Sequence, residues 1–174
     1  MTERFTTHLD QLSVIYEDRT DSHYVFVGDR GDSIFGECIG LRGKFIVANG
    51  CFDLLHPGHL SLLATLDTLA YQMKLRPIVA INSDESVRRL KGDRRPIVPQ
   101  ESRSALINNL KWPLTVVIFE DDTPQRLMDT LRPTVVLKGA EYPIESVVKW
   151  KDSKVISADM LPHWSTTSII GDSR

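Results

Sequence analysis

With 174 residues and a formal charge of −2, the chain has the length of one well-cored domain and no overall attraction for nucleic acid or an anionic membrane, so any anion site must be local. Apolar residues make up 41% and charged residues 25%, which excludes disorder along the whole chain, and no apolar run approaches the ~18 residues of a membrane span. Cys38 and Cys51 are the only cysteines and no basic-then-apolar leader opens the chain, so the expectation is a cytoplasmic protein with free thiols and no nucleic-acid or membrane partner.

Residues 1–43 contain three candidate strands, LSVIY (12–16), YVFVG (24–28) and SIFGECI (33–39), with GDRGDS (28–33) as a turn between the last two. They predict an N-terminal extension: a hairpin or sheet-edge addition that covers the core or forms an oligomer contact. From residue 44 to 174 the rhythm changes. Short β-rich apolar runs, FIVAN (45–49), PIVAIN (77–82), LTVVIF (114–119), TVVLK (134–138) and KVIS (154–157), alternate with helical stretches. That alternation predicts an α/β fold: a Rossmann-like, doubly wound parallel sheet of five strands.

The first helix is expected over about 57–74, opened by Pro57, with Leu62, Leu66, Leu69 and Met73 on one face. Others are expected around 84–90 and 100–110. A further one should start where Asp122 or Thr123 can cap and Pro124 can open the turn, and a last, hydroxyl-rich start lies in WSTTSII (164–170). In open sheets of this kind ligands bind at the carboxyl ends of strands, beside helix N-termini. Residues 49–59, 82–84 and 138–142 fall there.

NGCFDLLHPGHLSLL (49–63) is the most pointed stretch, because His56 and His59 stand three apart at a strand-to-helix turn with Gly58 between them. Zinc would need further Cys or His ligands at compatible spacing, and none follows, so no metal-ligating set is expected. Two alternatives remain: packed core histidines, or donors that join the unpaired N–H groups of a helix start to hold phosphate. Asn49-Gly50 offers a permissive turn, and Gly58 would let the backbone approach a ligand.

NGCFDLLHPGH resembles the H-x-G-H element of the nucleotidyltransferase superfamily, cytidylyltransferase-like enzymes, and is closest to the heptose 1-phosphate adenylyltransferases. The resemblance continues through AINSD (80–84), RLKGDRRP (89–96), ESR (101–103), EDDTPQRL (120–127), VLKGAEY (136–142) and STTSII (165–170). It implies transfer of AMP from ATP to a sugar 1-phosphate such as heptose 1-phosphate, with release of pyrophosphate. His56, His59 and Lys91 are then the catalytic candidates. Nucleotide binding falls to Gly50, Cys51 and Phe52 of the loop, Gly58, Arg103, Lys138, Gly139, and the hydroxyls of Ser165, Thr166 and Thr167.

Asp53, Asn82, Asp84 and Glu141 are left as candidates for the acceptor substrate. Asp53 is ambiguous between ordering its turn and orienting substrate with a hydrated magnesium ion. Lys91 belongs to a basic run with Arg88, Arg89, Arg94 and Arg95, read as a mobile lid that closes cations over a triphosphate in preference to a solvated charge run or a nucleic-acid patch. Asp121 and Asp122 look like a metal pair, although the following Thr-Pro favours helix capping. Mg2+ is expected with the nucleotide, ATP or CTP, and a homodimer is implied by similar enzymes. Ala140 and Glu141 depart from the glycine and aspartate of the heptose enzymes, and Trp164 from a smaller residue, so the pocket differs in detail. Two other readings stay open: a cytidylyltransferase for glycerol 3-phosphate or another alditol phosphate, and a nucleotide-binding module without turnover.

Overall fold

Phe45, Ile46, Val47 and Ala48 are all at most 1% exposed, which a strand permits only when both faces of its sheet are covered. A computed structural model describes residues 43–159 and 164–171 in full and the backbone of residues 14–15 and 24–27. Five parallel strands form the centre: β3 (Phe45–Gly50), β4 (Arg76–Asn82), β5 (Thr115–Phe119), β6 (Val135–Gly139) and β7 (Lys154–Ala158). β1 (Val14–Ile15) and β2 (Tyr24–Val27) extend the β5 edge antiparallel, giving the order β1-β2-β5-β4-β3-β6-β7. SIFGECI and the GDRGDS turn lie outside the described residues.

Alternate side chains feed two cores. Ile46, Ala48, Val79, Ile81, Val116 and Leu137 meet Leu62, Leu63 and Leu66 of helix α1 (Pro57–Met73). On the other face Phe45, Val47, Ile78, Val117 and Val136 meet Leu127, Met128 and Leu131 of α4 (Gln125–Leu131). Leu63 and Leu66 are wholly buried, and truncating either to alanine would cost about 2–5 kcal/mol through lost transfer energy and the cavity left behind. The expected face of α1 drifts outward at its end: Leu69 is partly buried and Met73 is exposed.

Helix α2 (Asp84–Lys91) follows β4, and α3 (Gln100–Asn108) ends two residues short of its expected limit. The expected caps of α4 are not made. Pro124 holds the N-cap position with no side-chain bond; Asp122 instead pairs with Arg89 at 2.7 Å, and Asp121 lies 3.4 Å from Arg126. Helix α5 (Thr166–Ile170) is short, with a capping box between Ser165 and Ser168.

The chain winds from β3 outward through β4 to β5, then crosses back to place β6 and β7 on the other side of β3. The strand order therefore reverses between β3 and β6. A crevice opens at such a point because the connections leave the two strands in opposite directions.

Candidate active site

At this reversal the ends of β3 and β6 are tied by Lys138, whose Nζ donates to the Asn49 carbonyl at 2.8 Å and to Asn49 Oδ1 at 3.0 Å. The Tyr142 ring lies 4.9 Å from the same ammonium. Burial pushes the Lys138 amine down to about 8, with Cys51 and Glu141 acting in the opposite direction. The crevice above them is a cleft of about 750 Å³ lined by both histidines, Lys91, Lys138 and residues 165–167.

The loop from β3 to α1 is shaped by packing. The left-handed residue is Phe52, with φ +49°, and not the expected Gly50, which is the last residue of β3. A Cβ on Gly50 would meet the Phe52 ring at 3.3 Å, so the glycine makes room for that buried ring. Phe52 in turn lies 4.8 Å from the His59 ring, centroid to centroid.

His56 is the N-cap of α1, its Nδ1 accepting from the His59 backbone N–H at 3.3 Å, with Pro57 opening the helix. The two imidazoles stack at 3.8 Å. His59 Nδ1 faces the Leu54 carbonyl at 3.1 Å. A carbonyl only accepts, so His59 carries its proton on Nδ1, and the opposite holds for His56, whose Nδ1 accepts. Burial, then the neighbouring His56, pushes His59 down to about 4, and burial also lowers His56. At neutral pH the pair is uncharged: His56 offers an Nε2–H, His59 an unprotonated Nε2. Gly58 serves this pair directly, since a Cβ there would lie 3.1 Å from the His56 ring and 3.4 Å from the Trp164 Cβ. It does not line the cleft.

Most sequence candidates meet at this one cleft: Gly50, Cys51, Phe52, Asp53, Asn82, Gly139 and Glu141 line it together with the residues named above. Burial raises the Cys51 thiol, which lies 3.8 Å from Asn82 Oδ1, and Asn82 Nδ2 donates to Ser86. Besides Gly58, two candidates stand elsewhere. Arg103 is wholly buried behind the loop, with every donor group engaged: Nε to Val98 O, one terminal nitrogen to the carbonyls of Cys51 and Asn82, the other to Asp84 at 2.6 Å. It is a keystone joining β3, β4 and α2, and Asp84 is its counter-ion; neither lines the cleft. Asp53 lines the cleft with its carboxylate tied into the protein, accepting from Arg95 Nε at 2.5 Å and from the N–H groups of Ile97 at 2.7 Å and Val98 at 3.0 Å.

Asn49, Arg95 and Tyr142 also line the cleft: Arg95 belongs to the basic run expected to close over a triphosphate, and Asn49 and Tyr142 stand at the strand ends expected to hold ligand, though none of the three was given an individual role. An aromatic four positions beyond a strand-end lysine was the available signal for a specific role of Tyr142. Among the described residues no group of three His, Cys, Asp or Glu side chains gathers to hold a metal ion, and no helix is long and apolar enough to cross a membrane.

Residues 47–168 match the family described as cytidylyltransferase-like. Among curated proteins, the bifunctional protein HldE of Rhodopseudomonas palustris (strain TIE-1) is 44% identical over 140 residues, which is 78% of this chain and 27% of that protein. The protein of that name from Hahella chejuensis is 42% identical over 132 residues, 73% of this chain and 27% of its own. The chain thus spans about a quarter of the length of these relatives. A solved lipopolysaccharide core biosynthesis protein from Thermoplasma volcanium shares the fold, with a TM-score of 0.54, 23% identity, and coverage of 67% of this chain and 96% of that one.

Proposed function

The chain belongs to the cytidylyltransferase-like family of nucleotidyltransferases, and from that premise we propose that it transfers AMP from ATP to a sugar 1-phosphate such as heptose 1-phosphate, releasing pyrophosphate. The observation that carries this reading is one cleft lined by a stacked imidazole pair, Lys91, Lys138 and the Ser165–Thr167 hydroxyls. The relatives named HldE support it, as does the sequence resemblance to heptose 1-phosphate adenylyltransferases.

In the reaction a phosphate oxygen of the sugar 1-phosphate attacks the α-phosphorus in line. The bond from that phosphorus to the bridging oxygen breaks, and its electron pair leaves with pyrophosphate. A phosphate monoester has a second pKa of about 6 and is largely dianionic at neutral pH, so no strong base is needed. The protein contributes position and charge. His56 donates from Nε2–H to phosphate oxygen. His59 can donate only after taking a proton on Nε2, which the triphosphate's negative charge favours. Lys91 and Lys138 bind phosphate oxygens, and the hydroxyls of residues 165–167 hold the leaving group.

Magnesium would enter with the triphosphate and would neutralise part of its charge; among the described residues no carboxylate cluster gathers to cage it, and Asp53 already accepts from three protein donors. Residues 44–174 are the catalytic domain in this proposal and 1–43 an extension, in a cytoplasmic homodimer. A second reading, transfer of CMP to an alditol phosphate, draws on the family's own description and on Glu141, the departure at the pocket rim. Pyrophosphate release measured across ATP and CTP, each with heptose 1-phosphate and glycerol 3-phosphate, separates them. Turnover confined to ATP with the sugar 1-phosphate is expected; turnover confined to CTP with the alditol overturns the first reading, and binding without turnover in every combination overturns both.

A further inference from the structure

Asp53 raises a question that its neighbours answer. Its side chain is 0% exposed, a position where a carboxylate persists only if its lone pairs are met. Oδ1 takes the N–H groups of Ile97 and Val98, and Oδ2 takes Arg95 Nε. All three donors come from the loop between α2 and α3, more than forty residues along the chain. The carboxylate at the floor of the histidine loop therefore fixes the basic loop above it.

Arg95 is fixed by one edge only. Its Nε is committed to Asp53, its side chain is 14% exposed, and it lines the cleft. No partner is found among the described residues for its two terminal nitrogens. A guanidinium held at Nε presents the remaining N–H groups as a planar fork whose direction is set, the geometry that suits two oxygens of one phosphate. Lys138 approaches the same cleft from β6 and the imidazoles from the start of α1.

We propose that Arg95 is a phosphate-binding residue of the nucleotide site and that Asp53 is its positioning residue, aiming the guanidinium into the cleft without itself touching metal or substrate. The proposal rests on the nucleotidyltransferase reading for the identity of the ligand. It separates Arg95 from Arg88 and Arg89, which are spent on Glu85 and on Asp122 and the Glu120 carbonyl. The anchor is present with no ligand bound, so the fork is set before the triphosphate arrives and little freedom is lost on binding.

Two readouts decide it: the Kd for MgATP by calorimetry, which needs no turnover, and kcat/KM for pyrophosphate release. Arg95→Ala should weaken MgATP binding on the order of tenfold or more and lower kcat/KM about a hundredfold, the usual loss for one such donor. Arg95→Lys should stay within about tenfold of Arg95→Ala, because one ammonium cannot serve Asp53 and a phosphate at once in the fork geometry.

Asp53→Asn keeps an acceptor for Ile97 and Val98 but turns an N–H toward Arg95, freeing it. Its loss should be comparable, and Asp53→Asn combined with Arg95→Ala should be no worse than Arg95→Ala alone to within about twofold. The magnesium concentration for half-maximal rate should not move in Asp53→Asn, a readout that a metal ligand would shift. Wild-type MgATP affinity in Arg95→Ala or Arg95→Lys, additive losses in the double variant, or a raised magnesium requirement in Asp53→Asn would each overturn the proposal. If Asp53→Asn does not fold, the two Arg95 variants decide alone. Because affinity is read apart from turnover, a wild type that binds MgATP through Arg95 without releasing pyrophosphate would refute the function while leaving this inference standing.

Discussion

Replacing Arg103 with methionine removes the guanidinium while keeping most of its unbranched stem, and the consequences can be worked from its contacts. The carbonyls of Val98, Cys51 and Asn82 and the carboxylate of Asp84 lose a donor together. Orphaning one partner of a buried pair costs about 3–5 kcal/mol. Asp84 is 22% exposed and can recover some hydration, which favours the lower end. The three carbonyls can cost about 1 kcal/mol or more each unless water replaces the donor. A total of about 3 to 6 kcal/mol follows, the range set by how many carbonyls water can meet. For a chain of 174 residues, an unfolding entropy of about 2.1 cal/mol/K per residue converts this to a Tm lower by roughly 8 to 16 °C.

Differential scanning calorimetry measures that drop, and the KM for the triphosphate should change little in whatever fraction stays folded. A Tm within roughly 3 °C of wild type, one kcal/mol's worth, together with a raised triphosphate KM would refute the keystone role. It would return Arg103 to the ligand site that the ESR resemblance implied.

Three further predictions concern the cleft. His59 is held below its ordinary 6.5, at about 4, so the unfolded chain binds more protons between those values; stability is full above pH 6.5 and is lost as pH falls toward 4. Thermal unfolding across that window should be steeper in wild type than in His59→Gln, and identical slopes would contradict the buried neutral imidazole. Lys138, pushed down to about 8 from 10.5, should lose its charge as pH rises through 8, raising the triphosphate KM there, while the same shift makes folding stability rise with pH between 8 and 10.5 because the unfolded chain holds the extra proton. A KM flat up to pH 10.5 would remove Lys138 from phosphate binding. Gly58→Ala places a methyl 3.1 Å from the His56 ring and should lower turnover on the order of tenfold through misplacement of that ring; full activity would show that the ring yields freely.

Much of the fold was legible because β3, β4, β5 and β6 are covered on both faces, so each reads as an unbroken apolar run. The caps were less so. The acceptor at the start of α1 is an imidazole nitrogen of His56, and α4 begins on Pro124 with no side-chain cap, leaving Asp122 for Arg89.

At the site, the side chains that line one cleft were proposed from the resemblance of their motifs, whereas the backbone partners of Arg103 and Asp53 were not legible. Arg103 reads the carbonyls of Cys51 and Asn82, and Asp53 reads the N–H groups of Ile97 and Val98. Backbone partners leave no trace in residue identity. The tautomers of His56 and His59 escaped for the same reason, since they are set by an amide and by the Leu54 carbonyl.

Phosphorus NMR of the chain with MgATP and heptose 1-phosphate tests the central assignment most directly. Paired diphosphodiester resonances growing in step with pyrophosphate are expected in wild type, slowed about a hundredfold or more in His56→Ala and in His59→Ala with the fold retained. Release of inorganic phosphate without a diphosphodiester, or undiminished rates in both variants, would contradict the stacked imidazoles as the transfer site.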